Sequence, residues 1–330
     1  MSEFELRELV ISEEDVQSFK RLDQCLSHHF EDISRTTLKD LFKKGLITCA
    51  EKIELKKLPK LGTTIQIKVP PVEPMDAVAE DIPLDIVFED NHLIIINKPA
   101  GLVVHPAPGN YTGTLVNALL FHFSKIEDVG NQLRPGIVHR LDKGTTGLMV
   151  AAKTQEAFDG LSALFAEHDI TRKYEAICVG KSIPIHGTIE SSIGRHPQNR
   201  LKMAANVRNG RHAITHYKRL ASYGPFHHVE CTLETGRTHQ IRVHLNTLVK
   251  VPIMLDPLYG NPAQDLMRLK KQLPFADVNE YPHPLLHAKT LGFIHPVTKE
   301  ELFFEQEVPK YFSDMLELLQ NLKEKPEENY

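Results

Sequence analysis

A chain of 330 residues, 41% hydrophobic and 25% charged, is long enough for one sizeable core plus a small accessory domain, and too apolar to be disordered throughout. No run approaches the roughly 20 apolar residues of a membrane span and no basic-then-apolar leader opens the chain, so a cytoplasmic location is expected, while Cys25, Cys49, Cys178 and Cys231 form no CxxC pair, which argues against a disulfide framework or a zinc knuckle. A formal net charge of −4 argues against a polyanionic partner, but its distribution does not: residues 18–60 carry 10 Lys and Arg against 6 Asp and Glu, residues 91–299 carry 24 against 15, and the acidic excess lies in 1–17, 61–90 and 300–330.

Residues 16–30 place Val16, Phe19, Leu22, Cys25, Leu26 and Phe30 at three-and-four spacing, which predicts an amphipathic helix. A second helix is predicted from Arg35 to Lys44, capped by Ser34, buried through Leu38, Leu41 and Phe42, and ended by a left-handed Gly45. Arg35, Lys39 and Lys43 recur every four residues. They form one cationic stripe that could hold consecutive phosphates or simply be a solvated face. Pro70, Pro71 and Pro74, followed by an acidic run to Asp90, read as a linker with the domain boundary near residue 80. Leu93 to Ile96 then reads as a buried strand that turns at Asn97–Gly101.

The stretch His139-Arg140-Leu141-Asp142-Lys143-Gly144-Thr145-Thr146 runs into the apolar segment Gly147–Ala152, which has the character of a buried strand. Its polar residues therefore belong to a loop at that strand's start, where a scaffold can hold reactive groups. Arg140 and Lys143 favour the ionised form of a carboxylate between them, and an ionised carboxylate can attack an electron-poor carbon. Asp142 is thus a candidate nucleophile; the plainer reading is a surface Asp in a charged turn. Gly144 and Gly147 bracket two threonines as RNA-clamping loops do, a weak signal alone.

Further on, Phe158, Leu161, Leu164 and Phe165 predict an amphipathic helix, and Tyr174–Val179 a strand opened by Tyr174. Ala213–Arg219 and His227–Leu233 read as a hairpin joined across Tyr223-Gly224-Pro225. Thr235–Thr238 turns the chain into a short helix in which Thr238 and Arg242 share a face one turn apart. His239 and His244 lack the spacing of a zinc helix, so no metal is expected. Leu291, Phe293, Leu302 and Phe304 flank a turn at Pro296–Lys299 and read as a closing hairpin, and Leu316–Tyr330 as an acidic, helical, then frayed tail.

Three ordered blocks resemble the RluA/RluD-type pseudouridine synthases: Asn97–Pro106, His139–Val150 with Thr146 where that family commonly has Ser, and Gly236–Leu245. The resemblance spans nearly the whole chain. It implies an enzyme that isomerises uridine to pseudouridine within RNA, without a cofactor, on an α+β fold with a large, mostly antiparallel sheet and a central cleft. It implies Asp142 as the catalytic carboxylate, Arg242 as the guanidinium paired with it (Arg237 being the alternative), and Tyr174, within Arg172-Lys173-Tyr174, as the ring stacked on the target base with proton abstraction from the sugar as a second role. Leu286, within Pro284–Ala288, would lie on the other side of the base, and His139 and Arg140 would contact substrate, Arg140 filling the gap left by a flipped nucleotide. Lys98 and His105 are expected to be structural.

Residues 21–69 resemble the α-L RNA-binding domain through Arg21-Leu22-Asp23, Ser34-Arg35 and Gly45-Leu46-Ile47-Thr48, departing from it at Cys49–Lys52 and Leu61–Thr64. In that module Arg35, Lys39 and Lys43 would grip RNA. The expected division is thus 15–70 for the RNA module, 71–82 for an acidic linker, 83–318 for the catalytic domain and 319–330 for an acidic tail. Large-subunit ribosomal RNA or a pre-ribosomal particle is the expected partner, transfer RNA the next, and a monomer the expected state. Attack at the sugar C1′ and addition to C6 of the base remain open, as does a binding protein that keeps the fold without the activity.

Overall fold

A computed structural model of the chain describes residues 4–30, 33, 35–51, 53–69, 77–107, 109–123, 126–131, 134–273 and 283–322. These fall into two compact units divided between Met75 and Asp76.

The first unit runs β1 (Glu5–Val10), α1 (Glu13–Ser18), α2 (Leu22–His29), α3 (Arg35–Lys43), β2 (Ile47–Thr48) and β3 (Thr64–Val69). Strand β3 is central and antiparallel to both neighbours, and its alternate residues Ile65 and Ile67 are buried against Leu22, Cys25, Leu26 and Leu38. The single helix expected over 16–30 is two helices. Ser12 caps α1 through a reciprocal box with Asp15, and the chain opens at Phe19–Arg21 before α2 begins. The module also starts earlier than residue 15, because β1 pairs with β3 along its whole length. Helix α3 ends as expected at Gly45, which adopts φ 70°. Lys39 and Lys43 are exposed on α3, whereas Ser34 and the side chain of Arg35 lie outside the described residues.

The second unit begins with β4 (Ile86–Glu89), β5 (Leu93–Lys98), α4 (Leu115–His122), the two-residue strands β6 (Gly130–Asn131) and β7 (Arg134–Pro135), β8 (Thr146–Ala152) and α5 (Gln155–Glu167). It continues with β9 (Thr171–Val179), β10 (His186–Arg195), β11 (Met203–Ala205), β12 (Arg211–Tyr223), β13 (Phe226–Leu233) and α6 (Gln240–Val243). A π-helical turn over His244–Val249 follows, then α7 (Pro262–Gln272), β14 (Leu286–Ile294), β15 (Glu301–Glu305) and α8 (Lys310–Gln320). Part of the expected linker belongs to this unit. Asn117 of α4 donates to the Val78 carbonyl at 2.7 Å and Gly113 N–H to the Glu80 carboxylate at 3.0 Å, while residues 71–76 lie outside the described ones. At the other end α8 runs past residue 318, with Leu319 wholly buried, so the expected tail boundary cuts a packed helix; residues 323–330 lie outside the described ones.

One ten-stranded sheet organises the unit, in the order β11-β10-β12-β13-β9-β14-β8-β5-β4, with β15 on β14. All its pairings are antiparallel except β8 with β14, where His287 faces Thr146 and Ala288 faces Gly147. Two antiparallel halves therefore meet at one parallel seam. Strand β8 is buried at every position, as its continuous apolar run requires, and β9 alternates: Tyr174, Ala176 and Cys178 face one core, Ile177 and Val179 a second core built with α7 and α8. The seam is tight because Gly147, at φ 108°, has the Ala288 backbone where a Cβ would stand. No described helix is long and apolar enough to cross a membrane.

Candidate active site

The loop before β8 is held from three sides. Leu141 is buried beneath it, Thr145 N–H closes a turn onto the Asp142 carbonyl at 3.0 Å, and Gly101 N–H from the turn after β5 bonds the Lys143 carbonyl at 2.8 Å. Lys98, at the end of β5, is almost wholly buried and gives its ammonium to the carbonyls of Pro99 at 2.8 Å, Leu102 at 2.9 Å and Lys143 at 3.4 Å. Burial pulls its pKa down to about 7, with Asp142 opposing the shift. Lys98 thus stitches two loops together by backbone oxygens alone.

Asp142 lies on the wall of a cavity of about 470 Å³, within the size range of small-ligand sites. Arg242, from α6, donates through Nη1 to Asp142 Oδ2 at 2.9 Å. Arg242 does not grip Asp142 with two prongs: its fork goes to Asp256, Nε to Oδ2 at 2.7 Å and Nη2 to Oδ1 at 2.8 Å. Asp256 is wholly buried and also accepts the N–H groups of Leu258 and Tyr259. Burial opposes charge on both partners, yet the hydrogen bonds and opposite charges win, raising Arg242 above the usual arginine value and lowering Asp256 below the usual carboxylate value. Arg242 is therefore a fixed plate bolted to Asp256 that presents one Nη1 N–H to Asp142. Arg237 stands elsewhere on the wall, its Nε bonded to the His212 carbonyl at 3.0 Å.

Helix α6 begins only at Gln240, so Thr238 and Arg242 do not share a helical face. His239 caps the helix in the left-handed conformation at φ 57°, and Gln240 pins the turn by bonding Thr235, Arg237 N–H and the Ile214 carbonyl. His239 Nδ1 lies 2.8 Å from the Tyr259 hydroxyl and Nε2 3.8 Å from Asp142 Oδ1. His244 turns away to Ser191 and Thr215, each at 2.9 Å.

In the antiparallel pairing of β9 with β14, Tyr174 faces Ala288 and Ala176 faces Leu286, so Tyr174 and Leu286 stand diagonally on one sheet face, both at the cavity. Burial raises the Tyr174 phenol above its ordinary pKa, Asp142 adding to the rise and Arg172 opposing it. Arg134, Arg140, Arg172, Arg211 and Arg237 all line the same cavity. His139 lines the cavity, with its ring already engaged from behind. Its Nε2 accepts Val150 N–H at 3.0 Å, its ring stacks on Phe165 with centroids 4.5 Å apart, and burial holds its pKa down at about 3. A ring so engaged shapes the loop. Arg140 is exposed, its Nη1 3.4 Å from His105 Nε2.

Sequence reading missed Asp256, Tyr259, Gln240 and the place of His239. Asp256-Pro257-Leu258-Tyr259-Gly260 has the composition of a tight turn, which was the available signal; its partner, 14 positions away across a turn and a helix, was not readable from spacing.

A mostly antiparallel sheet opened by one parallel seam, with a carboxylate and a fixed guanidinium in its cleft, defines the class. Residues 92–247 match the RNA pseudouridylate synthase family model, and the chain belongs to that family. It is 40% identical over 306 residues to the ribosomal large subunit pseudouridine synthase D of Zymomonas mobilis, covering 91% of this chain and 93% of the relative. It is 43% identical to the protein of the same name from Neisseria meningitidis serogroup B, covering 91% and 78%, and 39% identical to the uncharacterized RNA pseudouridine synthase YlyB of Bacillus subtilis, covering 96% and 99%. Among solved structures, human RNA Pseudouridylate Synthase Domain Containing 4 superposes with a TM-score of 0.54 at 31% identity, over 71% of this chain and 92% of that one. The protein is a pseudouridine synthase, an isomerase.

Proposed function

We propose that this protein isomerises uridines of large-subunit ribosomal RNA, with Asp142 as the reactive carboxylate and the target nucleotide flipped into the cavity between Tyr174 and Leu286. The observation that carries the reading is the single N–H of Arg242 presented to Asp142 from a guanidinium already immobilised by Asp256. A carboxylate so oriented can attack C1′ of the sugar as the bond to N1 breaks; addition to C6 is the other route. The detached uracil turns and rejoins through C5, which displaces the Asp142 carboxylate from C1′ (on the other route the carboxylate leaves C6), and N1 gains a proton as C5 loses one, so atoms balance without water, second substrate or cofactor. A paired general acid is not needed, because the leaving base is itself a stabilised anion.

Retention of the detached base falls to Tyr174 and Leu286, which offer a ring and an apolar wall on one face of the sheet. The raised phenol pKa favours stacking over proton abstraction for Tyr174. Flipping costs a few kcal/mol, offset by contacts in the pocket and along the backbone; Arg134, Arg172, Arg211 and Arg237 at the cavity suit the flanking phosphates and Arg140 the vacated space. Residues of the first unit, with Lys39 and Lys43 exposed on α3 and Arg35 opening that helix, form the α-L RNA-binding module of this proposal. The ribosomal target follows the names of the relatives, with transfer RNA the second candidate. A cytoplasmic monomer acting on ribosomal RNA or a pre-ribosomal particle completes the reading.

The test is pseudouridine mapping of large-subunit ribosomal RNA from cells lacking the protein, complemented with wild type or Asp142→Ala. Sites that vanish and return only with wild type are expected. An unchanged map would refute the ribosomal target, and unchanged transfer RNA as well would refute the activity.

A further inference from the structure

The scheme above leaves unused the imidazole that stands beside Asp142. His239 holds a left-handed backbone that a non-glycine residue adopts only when its surroundings impose it, and such positions concentrate at functional sites. Gln240 imposes it through its bonds to Thr235 and Arg237. The ring is mostly buried, with Nδ1 on the Tyr259 hydroxyl and Nε2 on the Asp142 side.

The proton on that ring can be placed by counting donors. The Tyr259 oxygen accepts Met203 N–H at 2.7 Å and has one proton to give. Its two possible acceptors are His239 Nδ1 at 2.8 Å and the Met203 carbonyl at 3.4 Å. Hydroxyl bonds are best near 2.7–2.8 Å, so the proton goes to Nδ1. Burial pushes the phenol pKa up to about 12, which keeps that donor in place, and burial first, with Arg242 and Arg140 against Asp142 and Asp256, lowers the His239 pKa and keeps the ring neutral. The remaining ring proton then sits on Nε2. A donor, His239 Nε2–H, and an acceptor, Asp142 Oδ1, face the cavity 3.8 Å apart. That gap is too long for a direct hydrogen bond, and it suits one hydroxyl that accepts from the first and donates to the second.

Within a nucleotide of an RNA chain the 3′ oxygen is esterified and the ring oxygen carries no proton. Only the 2′-hydroxyl both gives and accepts. It sits on the carbon next to C1′, the atom addressed by Asp142 under the proposed function, on which this inference rests. We propose that His239, locked by Tyr259 as the Nε2–H tautomer, shares the target's 2′-hydroxyl with Asp142 and makes the pocket select ribose over deoxyribose.

The experiment compares two RNA oligonucleotides spanning a mapped site, one with uridine and one with 2′-deoxyuridine at the target only. Wild type, His239→Asn, which tolerates the left-handed backbone, and His239→Gln, whose longer amide can restore a donor, are compared for binding and single-turnover rate. Wild type is expected to favour ribose by roughly 10- to 100-fold, His239→Asn to lose most of that ratio and His239→Gln to recover part. Nitrogen-15 NMR of the imidazole should show Nε2–H in wild type and a tautomer mixture in Tyr259→Phe. A ribose-to-deoxyribose ratio unchanged by His239→Asn, or an Nδ1–H tautomer in wild type, would overturn the inference while leaving the proposed function standing. A binding preference for ribose that His239→Asn abolishes, in a protein that isomerises neither RNA, would support the contact and sink the proposed function instead.

Discussion

Replacing Arg242 by lysine keeps the charge and removes the fork. Arg242 makes three N–H···O bonds to two carboxylates, at 2.7, 2.8 and 2.9 Å. A single ammonium cannot span both groups as a rigid plate does. Asp256 is wholly buried and Asp142 is partly solvated, so the lysine should go to Asp256, where an unpaired charge costs most. Asp142 then loses the donor that Arg242 gives it. A charge-assisted hydrogen bond contributes about 1.5–3 kcal/mol, which at about 1.4 kcal/mol per decade corresponds to roughly a 10- to 150-fold fall in turnover. RNA affinity should change little, because the Arg242 side chain is only 9% exposed. The assay is single-turnover release of tritium from 5-tritiated uridine in a target RNA, with affinity measured in parallel. A turnover number within twofold of wild type, or a loss carried wholly by affinity, would refute the division of labour between the two aspartates.

Gly147→Ala tests the seam. A Cβ there meets the Ala288 backbone, and φ 108° is a region L-residues avoid, so a loss of more than about 3 kcal/mol is expected, a fall in melting temperature of roughly 6–12 °C for a unit of this size; a melting curve superimposable on wild type would mean the two strands can part without cost. Lys98 tests the loop stitching through pH. Its folded pKa, about 7, lies below that of a free lysine, so between about pH 7 and 10 the unfolded chain binds the extra proton and stability rises with pH, by at most about 1.4 kcal/mol per unit. Denaturant unfolding should therefore show wild type gaining on Lys98→Met across that window, and parallel pH profiles would contradict a buried, near-neutral amine.

Elements whose cause is local were legible in the chain. The apolar run Gly147–Ala152, the helix carrying Leu161 and Leu164, the hairpin turned at Gly224 and the stop at Gly45 each follow from side-chain period or from a residue that alone tolerates the turn. Asp142 and Arg242 stood out because short motifs carry them. Tertiary structure decided the rest. Helix α1 starts at Glu13 because Ser12 and Asp15 cap each other, β1 joins its sheet because β3 offers an edge, and His139 serves the loop because Val150 N–H needs an acceptor. Most of all, Arg242 is pinned by Asp256 and not by Asp142. A motif names the groups that can meet. Which carboxylate takes the fork depends on which is buried and surrounded by donors, and burial is a property of the folded chain.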